Sequence, residues 1–256
     1  MDAETYRRNY RSDDAPGWSA IDIGLNELYP GREPDRHLGT IVKYALGGPG
    51  PLDGISIYRR ADPYPHLHYV SYGMSELYYD EEAAATGISK WGFEFTFRLR
   101  ITESESLVNP SDLPIWPADL MQNLARYVND SGKWFEDGHF LKSQGPIKAG
   151  SDTEMVGLLF VLDPELGKIA TPHGDVDFLQ IVGLTERESD MLFDKTITVS
   201  DLSDRLKTMD ALMITNLERT DNSSTRPDPK PAPATEPDPA PTPQSPLQRL
   251  LDRFRG

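Results

Sequence analysis

The side chains of this chain that could do chemistry lie in three places. His66 and His68 form an H-x-H pair, which a strand would direct to one face at the spacing of some zinc and iron sites. A third ligand at similar spacing is missing, and His37, His139 and His173 fall in segments read as loops, with nothing in the spacing to bring them together. The pair is therefore read as structural or partner-contacting, and no metal is expected. Glu76, Asp80, Glu81 and Glu82 cluster just beyond it, where two carboxylates could serve as acid and base if their surroundings drove their pKa values apart. A solvated acidic turn is the favoured reading, and a hydrolase built on the cluster or on the histidines is the disfavoured one. Gly47, Gly48 and Gly50 lack the Lys-Ser/Thr of a Walker loop and the spacing of a dinucleotide fingerprint, so they mark a turn. Ser71 and Ser75 stand outside any G-x-S-x-G elbow, and the chain has no cysteine to act as nucleophile, zinc ligand or disulfide. The expectation is a protein that is not an enzyme and needs no cofactor.

The elements that position these residues centre on Pro65 to Ile101. In WGFEFTFRLRI, Trp91, Phe93, Phe95, Phe97, Leu99 and Ile101 alternate with Gly92, Glu94, Thr96, Arg98 and Arg100, which reads as a strand with one buried face. His66 to Tyr72 instead carries aromatic or branched residues at both parities, with Tyr69 and Tyr72 on opposite faces, and reads as a central strand covered on both sides. Before them, residues 1–17 read as a loose arm. A helix from Trp18 through Ile21, Leu25 and Leu28 is stopped at Tyr29-Pro30-Gly31, and strands are expected at Ile41 to Leu46 and Gly54 to Arg59. After them, Pro117 opens a helix lined by Leu120, Leu124, Tyr127 and Val128. Met155 to Leu162 and Phe178 to Val182 have strand length, Thr185 and Glu188 fit a capping box, Leu202, Leu206 and Met209 mark a helix, and Leu212 to Leu217 a last strand. Strands interspersed with helices, without a regular βαβ repeat, indicate an α+β fold whose central sheet is mixed, mostly antiparallel and flanked by helices.

From Thr220 the composition changes. RPDPKPAPATEPDPAPTPQSP is too polar to fold and biased to extended polyproline geometry, reaching several tens of ångström at about 3.1 Å per residue. It ends in LQRLLDRFRG, a short amphipathic helix with Leu247, Leu250, Leu251 and Phe254 backed by Arg249, Arg253 and Arg255. The expected organisation is a loose arm at 1–17, a domain at 18–219, a disordered Pro-rich linker at 220–246 and the helix at 247–256. Of the 256 residues 38% are hydrophobic, enough at this length for a substantial core. The net charge of −15 lies before the tail, which is balanced; such a field repels nucleic acid and attracts cationic partners. No signal-peptide pattern or membrane span is found, so a cytoplasmic protein is expected, of unknown oligomeric state.

Four words, HLHYVSYGMSELYYD, WGFEFTFRLR, WPADLMQNLARYV and TPHGDVDFLQIVGL, occur in an order and at separations that resemble the amino-terminal domain of the Suppressor of fused family, in a bacterial-type form, over roughly Ser19 to Leu217. The resemblance implies a protein-binding domain: animal members hold zinc-finger transcription factors of the GLI type inactive, and bacterial members have been proposed as immunity proteins against toxins. It also implies that a partner segment adds as a strand near the family's Tyr-Gly-Asp, which reads Tyr78-Tyr79-Asp80 here, with Tyr69 beside that groove. Tyr69, Tyr72, Tyr78 and Asp80 are the candidate partner-binding residues. The tail stands where animal members carry a second domain that closes over the peptide, so affinity for a GLI-like segment is expected to be poor. The expected function is adaptor-like or sequestering capture of a protein or peptide partner, a toxin or a regulator, with toxin immunity as the alternative.

Overall fold

The computed structural model describes residues 3–221 apart from 41, 43, 45, 46 and 49. The strand expected at Ile41 to Leu46 falls largely on positions outside the described residues, as do the Pro-rich linker and the terminal helix. The elements run α1 (Ala3–Asn9), α2 (Pro16–Leu28), β1 (Arg36–Gly39), β2 (Gly54–Arg60), β3 (His66–Tyr72), α3 (Glu81–Thr86), β4 (Phe93–Arg100), α4 (Trp116–Ser131), β5 (Phe140–Lys142), β6 (Met155–Leu162), β7 (Lys168–Thr171), β8 (Gly174–Thr185), α5 (Glu186–Phe193) and α6 (Val199–Met209). The fold is α+β, as its alternation of strands and helices indicates.

The strands form one eight-stranded sheet in the order β1-β2-β3-β4-β8-β6-β5, with β7 paired to the start of β8. Every pairing between named strands is antiparallel except β4 with β8, which run parallel from Phe93 opposite Asp177 to Phe97 opposite Ile181. One face carries Ile57, Leu67, Tyr69, Phe95, Phe97, Phe160 and Ile181, covered by Leu120, Met121, Leu124 and Val128 of α4. The opposite face is covered twice. Ile21, Leu25 and Tyr29, on and just after α2, pack on Tyr58, Val70, Tyr72 and Phe178, while Leu192 of α5 and Leu202 and Leu206 of α6 pack on Leu159, Val161, Val182 and Leu184.

Double coverage corrects the reading of β4. Its phenylalanines lie on the α4 face, but Glu94, Thr96 and Arg98, expected to meet water, are also fully buried. Alternating polarity signals a half-exposed strand only when one face is open, and here Glu94, Thr96 and Arg98 spend their polarity inside the protein. Arg98 makes a bidentate pair with Asp163 at 2.5 and 3.2 Å, bonds Glu165 at 2.8 Å and donates to the Gln180 amide oxygen. Thr96 Oγ1 donates to Asp163 at 2.7 Å, and the other Asp163 oxygen accepts the amides of Glu165 and Leu166, closing the turn between β6 and β7. Gln180 donates to the carbonyls of Leu212 and Met213. That segment was expected to be a strand and instead makes a single parallel bridge, Thr215 with Leu99.

Two other expectations change. Residues 3–9 form a helix instead of an aperiodic arm, because the hydroxyl and ring of Tyr6 find a buried seat. The strand predicted over Phe178 to Val182 extends from 174 to 185, its first residues pairing with β7. The Thr185–Glu188 capping box at the head of α5 is present in both directions. Among the described residues, no helix is long and apolar enough to cross a membrane.

Two measurements test the buried polar layer. Asp163→Ala leaves Arg98 without its main counter-charge, and the loss, read from the urea midpoint, is expected at about 3–5 kcal/mol; a cost below about 1 kcal/mol would show that the pair does not hold the sheet together. His66 and His68 are buried, and burial lowers both pKa values to about 4, against about 6.5 in an unfolded chain. The unfolded state therefore takes up protons first as pH falls, so stability is complete above about 6.5 and declines toward 4, by up to about 1.4 kcal/mol per pH unit for each histidine. An unfolding midpoint that stays constant between pH 7 and pH 5 would contradict this.

Candidate functional site

The candidate residues depend on the connection from β3 to α3, and Glu94 fixes its course. The Glu94 carboxylate is wholly buried and accepts four hydrogen bonds, from Gly73 N at 2.8 Å, Ser75 N at 2.9 Å, Ser75 Oγ at 2.6 Å and Ser71 Oγ at 2.6 Å. Burial raises its pKa, and these donors oppose the rise. Gly73 can take this path because it lacks a side chain: φ is +134°, and a Cβ would lie 2.8 Å from the Pro51 carbonyl. Lys90 donates to the Gly73 carbonyl and Trp91 N to that of Met74, so the loop is tied to β4 on both sides.

Beyond this anchor the chain reaches the surface. The Tyr78 hydroxyl donates to Asp53 at 2.9 Å. Asp80 is the N-cap of α3, accepting from Ala83 N at 2.9 Å, and its own amide donates to the Tyr6 hydroxyl at 3.0 Å. Tyr6 shares a 2.7 Å hydrogen bond with His173 Nε2, while His173 Nδ1 faces the Glu76 carbonyl at 3.0 Å. Hydrogen bonds from the Tyr79 hydroxyl and from Arg7 hold Glu81 below the usual carboxylate range. The acidic turn is thus a braced shoulder: α1 lies against α3, and Tyr78, Asp80 and Glu81 stand half-exposed on it.

The four candidate residues do not share one surface. Tyr69 is fully buried on the α4 face, its hydroxyl donating to the Pro114 carbonyl at 2.7 Å, and Tyr72 is buried on the opposite face, bonded to Asp22 at 2.9 Å. Both are core side chains, whereas Tyr78 and Asp80 are half-exposed. The periodicity of β3 put Tyr69 and Tyr72 on opposite faces; two-sided burial follows once both faces are covered.

The histidine pair does share a face, as the strand spacing requires. His68 Nδ1 bonds the Tyr29 hydroxyl at 2.6 Å, and its Nε2 lies 3.4 Å from Asp163; His66 Nδ1 bonds the Tyr64 carbonyl at 2.8 Å. These are core histidines joined to the Arg98 layer. His37, His139 and His173 hold separate partners: Ser56, the Glu136 amide, and Tyr6 with Glu76. Among the described residues no group of three or more His, Cys, Asp or Glu could hold a metal ion. Sequence reasoning missed Glu94 as the anchor of the site and Tyr6 as its brace. Glu94 was detectable in principle: β3 was read as covered on both sides, so its neighbour in the sheet should be covered as well.

The Suppressor of fused protein (SUFU) family model matches residues 48–220. The Suppressor of fused homolog of Homo sapiens is 41% identical over 181 residues, 67% of this chain and 36% of that protein, and the Mus musculus homolog matches to the same extent. The chain therefore spans just over a third of the length of these curated relatives. A chain of the Sufu–Fu complex crystal structure is similar with a TM-score of 0.72 and 33% identity, covering 81% of this chain and 92% of that one. The crystal structure of Drosophila Suppressor of Fused gives 0.70 and 34%, covering 81% and 51% respectively. Matched in sequence from the turn before β2 to the end of α6 and beyond, and matched in fold over 81% of its length, the chain belongs to the Suppressor of fused family.

Proposed function

We infer that this chain is a non-catalytic, protein-binding domain that captures a segment of a partner protein. The observation that carries the reading is its likeness, in sequence and fold together, to a chain crystallised in a Sufu–Fu complex. The shoulder around Tyr78 and Asp80 suits such a role. Glu94, Tyr6 and His173 order it before any partner arrives, so binding need not supply the cost of ordering a loop. The polar groups that could have done chemistry are engaged in structure: Asp80 caps a helix, Glu81 is bonded by Tyr79 and Arg7, and His66 and His68 lie in the core.

In this reading the partner lies on the shoulder as an extended segment. Main-chain hydrogen bonds give affinity, and the Tyr78 ring and Asp80 carboxylate choose among side chains. The net charge of −15 favours a basic partner and makes association weaken with salt. Neutralisation of a toxin is one form such capture could take, and beyond acidity no feature favours it over capture of a regulator.

The test is quantitative co-purification from the native host with wild type, Tyr78→Ala and Asp80→Asn. Asparagine keeps the helix cap and removes only the charge, so the fold survives. A partner retained by wild type and weakened about tenfold in either variant, about 1.4 kcal/mol, supports the shoulder; equal retention by all three would remove Tyr78 and Asp80 from the interface.

A further inference from the structure

A cleft of about 440 Å³ opens on the face covered by α2, between that helix and the edge strand β1. Its floor is aromatic. Trp18 stacks on Tyr72 with ring centroids 4.4 Å apart, His37 stands edge-on to Tyr72 at 5.9 Å, and Tyr58 lines the far side, backed by Tyr29 at 4.1 Å. Gly54 makes this floor possible, because a Cβ there would lie 2.7 Å from the His37 ring and 2.9 Å from Trp18.

The rim is acidic. Asp22 and Glu33 both line the cleft, and neither has an ion-pair partner among the described residues. Loss of solvent raises the Asp22 pKa against the lowering effect of the Tyr72 hydroxyl and His37, and the Glu33 charge adds to the rise. Arg32 is the one lysine or arginine of the lining, and it is drawn away, 3.5 Å from Asp35, bonded to the Arg59 carbonyl at 3.0 Å and 5.8 Å from the Tyr29 ring. Burial lowers the His37 pKa, against the raising effect of the Asp22 carboxylate. The result is a set of aromatic faces beside two carboxylates, neither of them in an ion pair among the described residues.

The cleft adjoins the outer margin of the sheet. Among the described residues β1 pairs only with β2. Thr40 N donates to Asp53 O at 3.0 Å, and the alternation of an antiparallel ladder then turns the backbone groups of His37 and Gly39 away from β2. A segment added there as a strand would place alternate side chains on the face of His37, at the mouth of the cleft. A guanidinium suits the space better than an ammonium, because its plane stacks on aromatic rings while its fork reaches carboxylates.

We propose that the cleft between α2 and β1 receives an arginine side chain of a partner segment that lies along the outer margin of β1. This rests on the protein-binding reading and adds a specificity site apart from the Tyr78–Asp80 shoulder.

Titration of the isotope-labelled full chain with Nα-acetyl-arginine N-methylamide, followed by NMR, tests it. Saturable shifts are expected at the Trp18 indole and at the amides of His37 and Ser56. The citrulline analogue, identical in shape and uncharged, should bind at least about five-fold more weakly, as should arginine to the double variant Asp22→Asn, Glu33→Gln. The amide oxygen that replaces the Asp22 carboxylate can still accept from Tyr72, and unchanged shifts across the rest of the spectrum would show that the variant is folded. Co-purification with the same double variant then reads the partner. Absence of saturable shifts at Trp18, or equal binding of arginine and citrulline, overturns the site whether or not a partner is found. Shifts that appear as expected while the partner is retained equally by the double variant overturn the assignment to a partner's arginine and leave the shoulder to be judged by its own variants.

Discussion

The bidentate pair between Arg98 and Asp163 is the constraint on which the rest of the structure depends. Burying two charges is expensive, and the cost is offset only where geometry is good and the remaining donors and acceptors are satisfied. Here Thr96, Gln180 and the amides of the β6–β7 turn satisfy the oxygens of Asp163 and the terminal nitrogens of Arg98, and Arg98 Nε alone of the guanidinium is left without a hydrogen-bond partner among the described residues. Burial works against the Asp163 charge, yet His68 and Arg98 hold its pKa well below the ordinary carboxylate range. The same layer reaches α2 through Tyr29 and His68, and the 212–213 segment through Gln180. It therefore joins two apolar patches on one face of the sheet that would otherwise pack independently.

Glu94 repeats this logic four residues away. A buried carboxylate surrounded by two amides and two hydroxyls acts as the core of a loop that has little apolar surface to hold it. The loop then delivers Tyr78 and Asp80 to the surface, while α1 braces the far side through Tyr6 and the Arg7–Glu81 ion pair. β4 is thus an apolar strand on the α4 face and the source of both buried anchors on the other. A loop built on such anchors has few alternative conformations, as the proposed recognition role requires.

The two surfaces proposed for recognition differ in chemistry. At the shoulder the exposed groups are already bonded to one another, so it presents shape and a shared negative charge. At the cleft beside β1 neither carboxylate has an ion-pair partner among the described residues, and the aromatic faces lie beside a strand that, among those residues, pairs with β2 alone. The two adjoin, since Trp18 of the cleft and Tyr78 of the shoulder pack against the same apolar cluster.

What the sequence by itself determined were the features set by local spacing. The apolar period of α4, the Thr185–Glu188 cap, the opposed faces of Tyr69 and Tyr72 and the shared face of His66 and His68 all follow from residue order, because a helix or strand imposes its period on any side chain. The α+β class and the family words were legible for the same reason. What tertiary structure decided was which faces meet water. The gaps in WGFEFTFRLRI read as solvated until α2, α5 and α6 cover that side, and only then do Glu94 and Arg98 become anchors. Tyr6 in a seven-residue helix has no period to announce it; its seat is made by His173 and the Asp80 amide, 167 and 74 residues distant. The cleft likewise exists only because β1 brings His37 beside Trp18. Burial is a property of pairs of surfaces, and a sequence states each surface without stating its partner.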